Sequence, residues 1–317
     1  MAHELFTVRG GDGTRLAVAE HRAAGDGPVA ILLHGISSHM GWYHGFGAAL
    51  AEAGVTTWLA DRRGCGRSEG LPGHMRTWSV VVDDVVSVAE EAAARHPGRP
   101  LHAIGISLGA AFTLAASIRR NDLFHSQALL TPGLASSIKA PWHRRIRLAG
   151  RSQAFPRTTI DVPIAPEQLT DRLEWQAAIR DDPLRTRRVT ARFLMQTFLL
   201  QRHVRQRAHA IHAPILALLA ERDAIIDNDL VVAALSRSGG RVRIEVFEGA
   251  THVLPATIPR AELVTRVVEW FKGETAPVGE RVFSTKVPPF SPAAGAPVPA
   301  PEPLGGQPLR APRAEDS

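Results

Sequence analysis

Apolar positions along the chain fall into short unbroken runs separated by longer stretches of three- and four-residue spacing. PVAILLHG (28–35), VTTWLAD (55–61), LHAIG (101–105), QALLTP (127–132) and PILALLA (214–220) are such runs, and VRIEVFEG (242–249), where apolar and polar residues alternate, is a further strand pattern. The length and the Val, Ile and Leu content of the runs are those of strands buried on both faces. Between them, residues 42–53, 78–95, 108–120, 228–237 and 260–272 have helical apolar spacing, and the second stretch meets a stop signal at His96-Pro97-Gly98. Strands alternating with helices specify an α/β architecture, a parallel sheet covered on both faces. Ahead of it, residues 4–22 alternate weakly around GGDG, which predicts a hairpin.

The alternation stops at Pro132. Residues 133–210 show helical patterns, at 168–181 and 186–206, but no buried strand; the strand pattern returns at 214. The pattern predicts a core formed by 1–132 and 211–273, with 133–210 inserted as a helical cap. Residues 274–317 hold ten of the 23 prolines and little periodicity. That composition predicts a disordered tail, because it offers too little apolar burial to offset ordering entropy.

Length and charge narrow the picture only where they are unevenly distributed. The 317 residues are enough for a sizeable core, and 44% apolar with 21% charged residues is ordinary globular usage. The single Cys65 excludes an internal disulfide and fits a reducing compartment. The start, MAHELFTVRG, has no apolar signal core, and no run of roughly 18 apolar residues is present, so a cytoplasmic protein is expected. The net charge of +6 is concentrated: residues 132–212 carry 15 Lys and Arg against six Asp and Glu, while the rest carries 22 against 25. These arginines are interleaved with acids and apolar residues, and no nucleic-acid-binding motif accompanies them. No nucleic-acid partner is expected; a solvated basic face is, with peripheral contact to anionic lipid as its functional use.

The chemistry turns on a motif that occurs twice. G-x-S-x-G, the signature of a serine nucleophile on a strand-to-helix turn, is spelled by GRSEG around Ser68 and by GISLG around Ser107. Ser107 follows the run LHAIG and precedes the small-residue helix LGAAFTLAA, so it has the context that exposes the hydroxyl. Ser68 stands between the loop DRRGCG and EGLPGH, where Pro72 and Gly73 preclude a helix. A serine needs a base and the base needs an orienting acid. Of fourteen histidines, His252 in GATHVL lies just past a strand, at the sheet edge expected to hold Ser107; His125, His143 and His209 read as surface or cap residues. Asp223 follows PILALLA in the same way, with Asp227 as its rival. The second oxyanion donor belongs in a loop after an early strand, which nominates the N–H of Ile36 in HGISS beside that of Leu108; His34 reads as a brace of that loop.

HGISSH, LADRRGCGRSEGLPGH, GISLGAA, AERDAIID and GATHVL, in this order, resemble the α/β-hydrolase superfamily. More narrowly they resemble its monoacylglycerol lipase and lysophospholipase-like branch, the serine hydrolases with a helical cap. The likeness spans about residues 25–272. It implies an α/β-hydrolase fold, with a mostly parallel central sheet, helices on both faces and a helical cap insertion. It also implies a structural role for the loop holding Ser68, and a triad of Ser107, Asp223 and His252. Family members often carry histidine before and methionine after the nucleophile, where this chain has Ile106 and Leu108, and histidines where Arg63 and Cys65 stand. Those departures bear on pocket shape. The expected activity is hydrolysis of a small-molecule, lipid-like ester without metal or cofactor. Acyl transfer by the same triad, or ligand binding without turnover, are the alternatives. In the cap, Phe193 and Thr197 lie along one face of TARFLMQTFLL and are the candidate wall of an acyl slot; packing of the cap explains that stripe equally well.

Overall fold

In the computed structural model, residues 3–137, 150, 152–162, 164–273 and 282–288 are described. Alternating burial makes β1 (Glu4–Arg9) and β2 (Arg15–His21) the expected antiparallel hairpin, in register from Glu4 with Glu20 to Arg9 with Arg15. The apolar runs become β3 (Val29–Leu33), β4 (Thr56–Ala60), β5 (Leu101–Ile106) and β6 (Ser126–Leu130). Beyond the cap follow β9 (Ile215–Ala220) and β10 (Val242–Phe247). Every residue of β3, β4, β5, β6 and β9 is buried, as strands covered on both faces must be. The sheet order is β1-β2-β4-β3-β5-β6-β9-β10-β11, where β11 is Val282–Val287. The hairpin is antiparallel to its neighbour β4, and the other strands run parallel.

The helices between the strands are α1 (His44–Glu52), α2 (Trp78–Arg95) and α3 (Leu108–Arg119), with α7 (Asn228–Leu235), α8 (Leu254–Thr257) and α9 (Arg260–Lys272) after the cap. From β3 the chain crosses through α1 to β4 on one side, then returns through α2 to β5 on the other. Because parallel crossovers are right-handed, that reversal sends α1 and α2 to opposite faces of the sheet. Accordingly α1 packs against α9, and α2 against α3. The reversal also opens a crevice beyond the carboxyl ends of β3 and β5, the place where open α/β sheets bind ligands.

The cap contributes α4 (Pro166–Leu169), α5 (Leu173–Asp181) and α6 (Ala191–Arg207). Thr190 caps α6 by accepting the N–H of Phe193 at 3.1 Å, and the helix packs its buried residues Phe193, Leu200 and Val204 on the core side, against α3. The expectation of a strand-free cap is corrected by a two-stranded antiparallel ribbon, β7 (Thr159–Asp161) with β8 (Arg188–Thr190). These strands have three residues each, too few to show an alternation. The expectation of a tail without structure is also corrected, at β11 (Val282–Val287), which extends the sheet parallel to β10 from Val242 with Val282 to Phe247 with Val287. His143 and the rest of 138–149, together with 274–281 and 289–317, lie outside the described residues.

Candidate active site

The backbone at Ser107 is forced into a region that residues with a Cβ seldom occupy, φ 52° and ψ −119°. Three hydrogen bonds hold it there. Its N–H donates to the Leu130 carbonyl at 2.9 Å, and its carbonyl accepts from Ala110 at 3.0 Å and Gly133 at 2.8 Å. The flanking glycines allow the close approach: a Cβ at Gly105 would collide with the Ala110 backbone, and one at Gly109 with the Leu33 carbonyl. The serine is thereby placed at the crevice, at the N-terminus of α3.

Two loops from the far half of the chain converge on it. His252, past the end of β10, sets Nε2 3.1 Å from Ser107 Oγ and Nδ1 2.8 Å from Asp223 Oδ2. Asp223, past the end of β9, is fully buried, and its other oxygen accepts the N–H groups of Ile225 and Ile226, both at 2.9 Å. With the carboxylate fixed, Nδ1 carries the proton and Nε2 is free to accept one from the serine. The backbone of His252 is held as well: Thr131 Oγ1 donates to its carbonyl at 3.0 Å, Thr131 itself having φ 44°. The rival acid, Asp227, is otherwise engaged, since it caps α7 by accepting the N–H of Leu230 at 3.1 Å.

The second G-x-S-x-G serine has no such partners. Ser68 Oγ donates to the Asp61 carbonyl at 2.7 Å and accepts the N–H of Ala17 at 2.8 Å, so it joins the glycine loop to β2. His34 is the brace that its position suggested. Its Nδ1 donates to the Gly35 carbonyl at 2.9 Å, and its Nε2 accepts the N–H of Arg62 at 3.1 Å. Complete burial, with the Arg62 charge beside it, holds this imidazole well below its usual pKa and therefore neutral.

Ile36 lies in the loop so braced, next to Gly35, which abuts Ser107. No hydrogen bond among the described residues uses the Ile36 N–H. The Leu108 N–H is in the first turn of α3, where backbone donors have no helical acceptor. Beside Ser107 and His252 is a narrow cavity lined by Ile36, Trp42, Tyr43, Ile106 and Val253, with Ile164 and Leu169 from the cap. Ser37, also on its wall, has a buried hydroxyl without a partner among the described residues. The free volume is about 20 Å³, room for a body the size of one water.

Phe193 and Thr197 are not on this wall. Phe193 is 3% exposed in the core beneath the cap, and Thr197 Oγ1 is buried without a partner among the described residues, so the stripe helps to pack the cap on the core. Residues that the sequence reading passed over hold the cap as well. Asp182 Oδ2 accepts from Trp42 Nε1 at 2.6 Å and pairs with His39 Nε2 at 2.8 Å, while Val253 N–H donates to the Leu169 carbonyl at 2.9 Å. Burial pushes the Asp182 carboxyl up, but the hydrogen bonds from His39 and Trp42 outweigh it and hold the pKa at about 2. The D-P pair at 182–183 marks a turn in the sequence, but nothing local marks its distant partners.

Comparison with known proteins agrees with this fold. The family model described as serine aminopeptidase S33 matches residues 27–256. A monoacylglycerol lipase of Mycolicibacterium smegmatis is 26% identical over 231 residues, 71% of this chain and 80% of the relative. The crystal structure of the Paleococcus ferrophilus monoacylglycerol lipase superposes with a TM-score of 0.73 at 23% identity, covering 82% of this chain and 99% of that one. A soluble variant of the Saccharomyces cerevisiae monoglyceride lipase, solved with a substrate analogue, gives 0.77 at 14% identity, over 87% and 97%. No helix among the described residues is long and apolar enough to cross a membrane. From its hairpin to its last helix the architecture is that of an α/β-hydrolase, and the chain belongs to the serine aminopeptidase S33 family, on its monoacylglycerol-lipase-like branch.

Proposed function

We propose that the protein hydrolyses carboxylic esters of lipid-like substrates, of the monoacylglycerol or lysophospholipid type, through an acyl-enzyme on Ser107. The observation that carries this reading is the unbroken relay from Asp223 through His252 to Ser107, 2.8 and 3.1 Å long. The names of the relatives on this branch agree with it. Ser107 Oγ attacks the ester carbonyl while its proton passes to His252 Nε2. The Ile36 and Leu108 N–H groups receive the oxyanion. His252 then gives the proton to the leaving alcohol, and a water, activated by the same imidazole, releases the acid and restores the serine. Each oxyanion donor contributes about 100- to 1000-fold in rate.

A cavity with room for about one water cannot hold an acyl chain, for which sites of roughly 300 Å³ or more are usual. Substrate entry therefore requires displacement of the cap residues Ile164 and Leu169, a lid motion that afterwards shields the reaction from water. An open groove lined by Arg202, Arg205 and Arg237 supplies the positive face that draws the protein to an anionic lipid interface. Turnover on anionic micelles falls with ionic strength on this reading, and indifference to salt removes the groove from it.

The test is hydrolysis of p-nitrophenyl esters from two to sixteen carbons and of monoacylglycerols, with Ser107→Ala as control. Activity that peaks at medium or long chains and is lost in the variant supports the proposal. A short-chain optimum would make the protein a general esterase, and acyl products formed with added alcohols would make it a transferase.

A further inference from the structure

Away from the serine site, three histidines from separate parts of the chain meet. His3 precedes β1, His21 ends β2 and His44 opens α1. One ring nitrogen from each lies within 4.8 Å of the other two. His21 Nε2 and His44 Nδ1 are 3.0 Å apart, and the His3 ring stacks on that of His44 with centroids 4.3 Å apart. His21 is 2% exposed, whereas His3 and His44 keep partial access to solvent.

This packing leaves polar atoms unused. His21 Nδ1 and His44 Nε2, the ring nitrogens turned away from that pair, are buried without a hydrogen-bond partner among the described residues. Burial also lowers the pKa of all three rings, to about 4 for His21 and about 3 for His44. At neutral pH the cluster is three uncharged imidazoles, the form in which histidine ligates metals. The other charged or titratable groups that act on it are Arg67, which faces His3 and His44, and His39, which faces His44. Arg67 opposes a cation and moderates its affinity.

We propose that His3, His21 and His44 form a binding site for a divalent transition metal of the zinc class. An all-imidazole donor set without carboxylates suits Zn, Co, Ni or Cu and excludes the oxygen-seeking Mg and Ca. Zn–N bonds of about 2.0–2.1 Å in tetrahedral geometry place ligand nitrogens roughly 3.4 Å apart. The 3.0 Å pair, which without a metal is a hydrogen bond between the two rings, is already near that spacing; a metal displaces its proton, and the third ring closes by a side-chain movement of about an ångström. The half-exposed side of the cluster leaves the fourth position to water. A metal here ties the segment before β1 to the end of β2 and the start of α1. Since α1 directly follows the turn carrying Trp42 and Tyr43, the tie steadies one wall of the cavity.

The test is titration of the chelator-treated full chain with Co(II), followed by its visible d–d absorption, and displacement by Zn(II). The expected result is one saturable equivalent with tetrahedral-type bands. His3→Ala and His44→Gln should each weaken binding by roughly tenfold or more, because even outer-shell changes do this much. Zn(II) should raise the Tm of the wild type and not of either variant, since it stabilises by binding the native state. Should His44→Gln fail to fold, His3→Ala, which lies before the first strand, still decides. Absence of saturable Co(II) bands, or binding unchanged by both substitutions, overturns the proposal.

Discussion

The two serines in identical five-residue motifs make opposite demands, so exchanging each for alanine separates the chemistry from the scaffold. In Ser68→Ala the N–H of Ala17 loses its acceptor at 2.8 Å and the Asp61 carbonyl its donor at 2.7 Å, with Ala17 and Asp61 both essentially inaccessible to water. Leaving a buried donor unsatisfied costs about 1–3 kcal/mol. In a chain of this size each kcal/mol moves the Tm by roughly 2–4 °C, so a fall of about 2–12 °C is expected. Turnover should stay within about twofold, because nothing in the relay is touched. Ser107→Ala should abolish turnover, by about a million-fold if the relay acts as a unit. It retains the unfavourable φ of 52°. Ser107→Gly removes that strain, worth about 1–3 kcal/mol, against a glycine entropy cost of roughly 0.5–1 kcal/mol. The glycine variant should therefore melt above the alanine variant while both stay inactive. The assay is kcat/KM on one p-nitrophenyl ester alongside calorimetric Tm for all four proteins. Activity surviving in Ser107→Ala, or lost in Ser68→Ala without a change in Tm, would refute the reasoning.

Asp223→Asn should leave the fold intact and lower kcat by about 10⁴-fold, because the amide no longer selects the tautomer with Nε2 free; a loss below tenfold would detach Asp223 from the relay. Asp182→Ala removes the acceptor shared by His39 and Trp42, and should raise proteolytic cleavage within the cap and alter KM more than kcat. As the Asp182 carboxyl is depressed to about 2, its contribution to stability is present above the ordinary carboxylate range and is lost as pH falls from about 4 toward 2; in the alanine variant that part of the acid melt should disappear. His21 and His44, held at about 4 and 3, and His102, at about 3, stay neutral when folded but bind protons when unfolded. Stability should therefore decline as pH drops below about 6.5, by up to ~1.4 kcal/mol per pH unit for each histidine, and level off below about 3. Denaturant melts from pH 7 to 4 check this, and a flat profile between 7 and 5 would count against it.

The frame and the relay were legible because their signals are local. A strand buried on both faces is an unbroken apolar run, and its neighbour on the sheet does not change that; hence β3, β4, β5, β6 and β9 sit where the runs are, and β10 where apolar and polar residues alternate. The elbow reads from flanking strand and helix, and Asp223 and His252 from being just past strands whose ends face the crevice. Even Ser68 could be set aside on its local context, since a glycine loop followed by Pro72 offers no helix dipole. What escaped are features defined by a remote partner. β11 is six residues embedded in proline-rich sequence, and it is a strand through its pairing with β10. Nothing within VFSTKV distinguishes that from an extended tail.

The cap shows the same limit with more consequence for function. Periodicity assigns Phe193 to a buried face of α6, a helix that packs against α3, but it cannot say whether that face also meets substrate. The wall of the cavity comes from Trp42 and Tyr43 in a short turn, and from Ile164 and Leu169 ahead of the long cap helix. One carboxylate joins the cap to the Trp42 side of that wall. Asp182 ends α5 in the cap and accepts from Trp42 in the core, so the residue that closes the cap also orients a side chain of the cavity. On the proposed function, displacing the cap to admit an acyl chain would pull on this contact and free the indole of Trp42. Entry and the shape of the pocket are thus coupled through a single hydrogen-bonded pair, and chain-length preference should respond to Asp182 and Trp42 before it responds to Phe193 or Thr197.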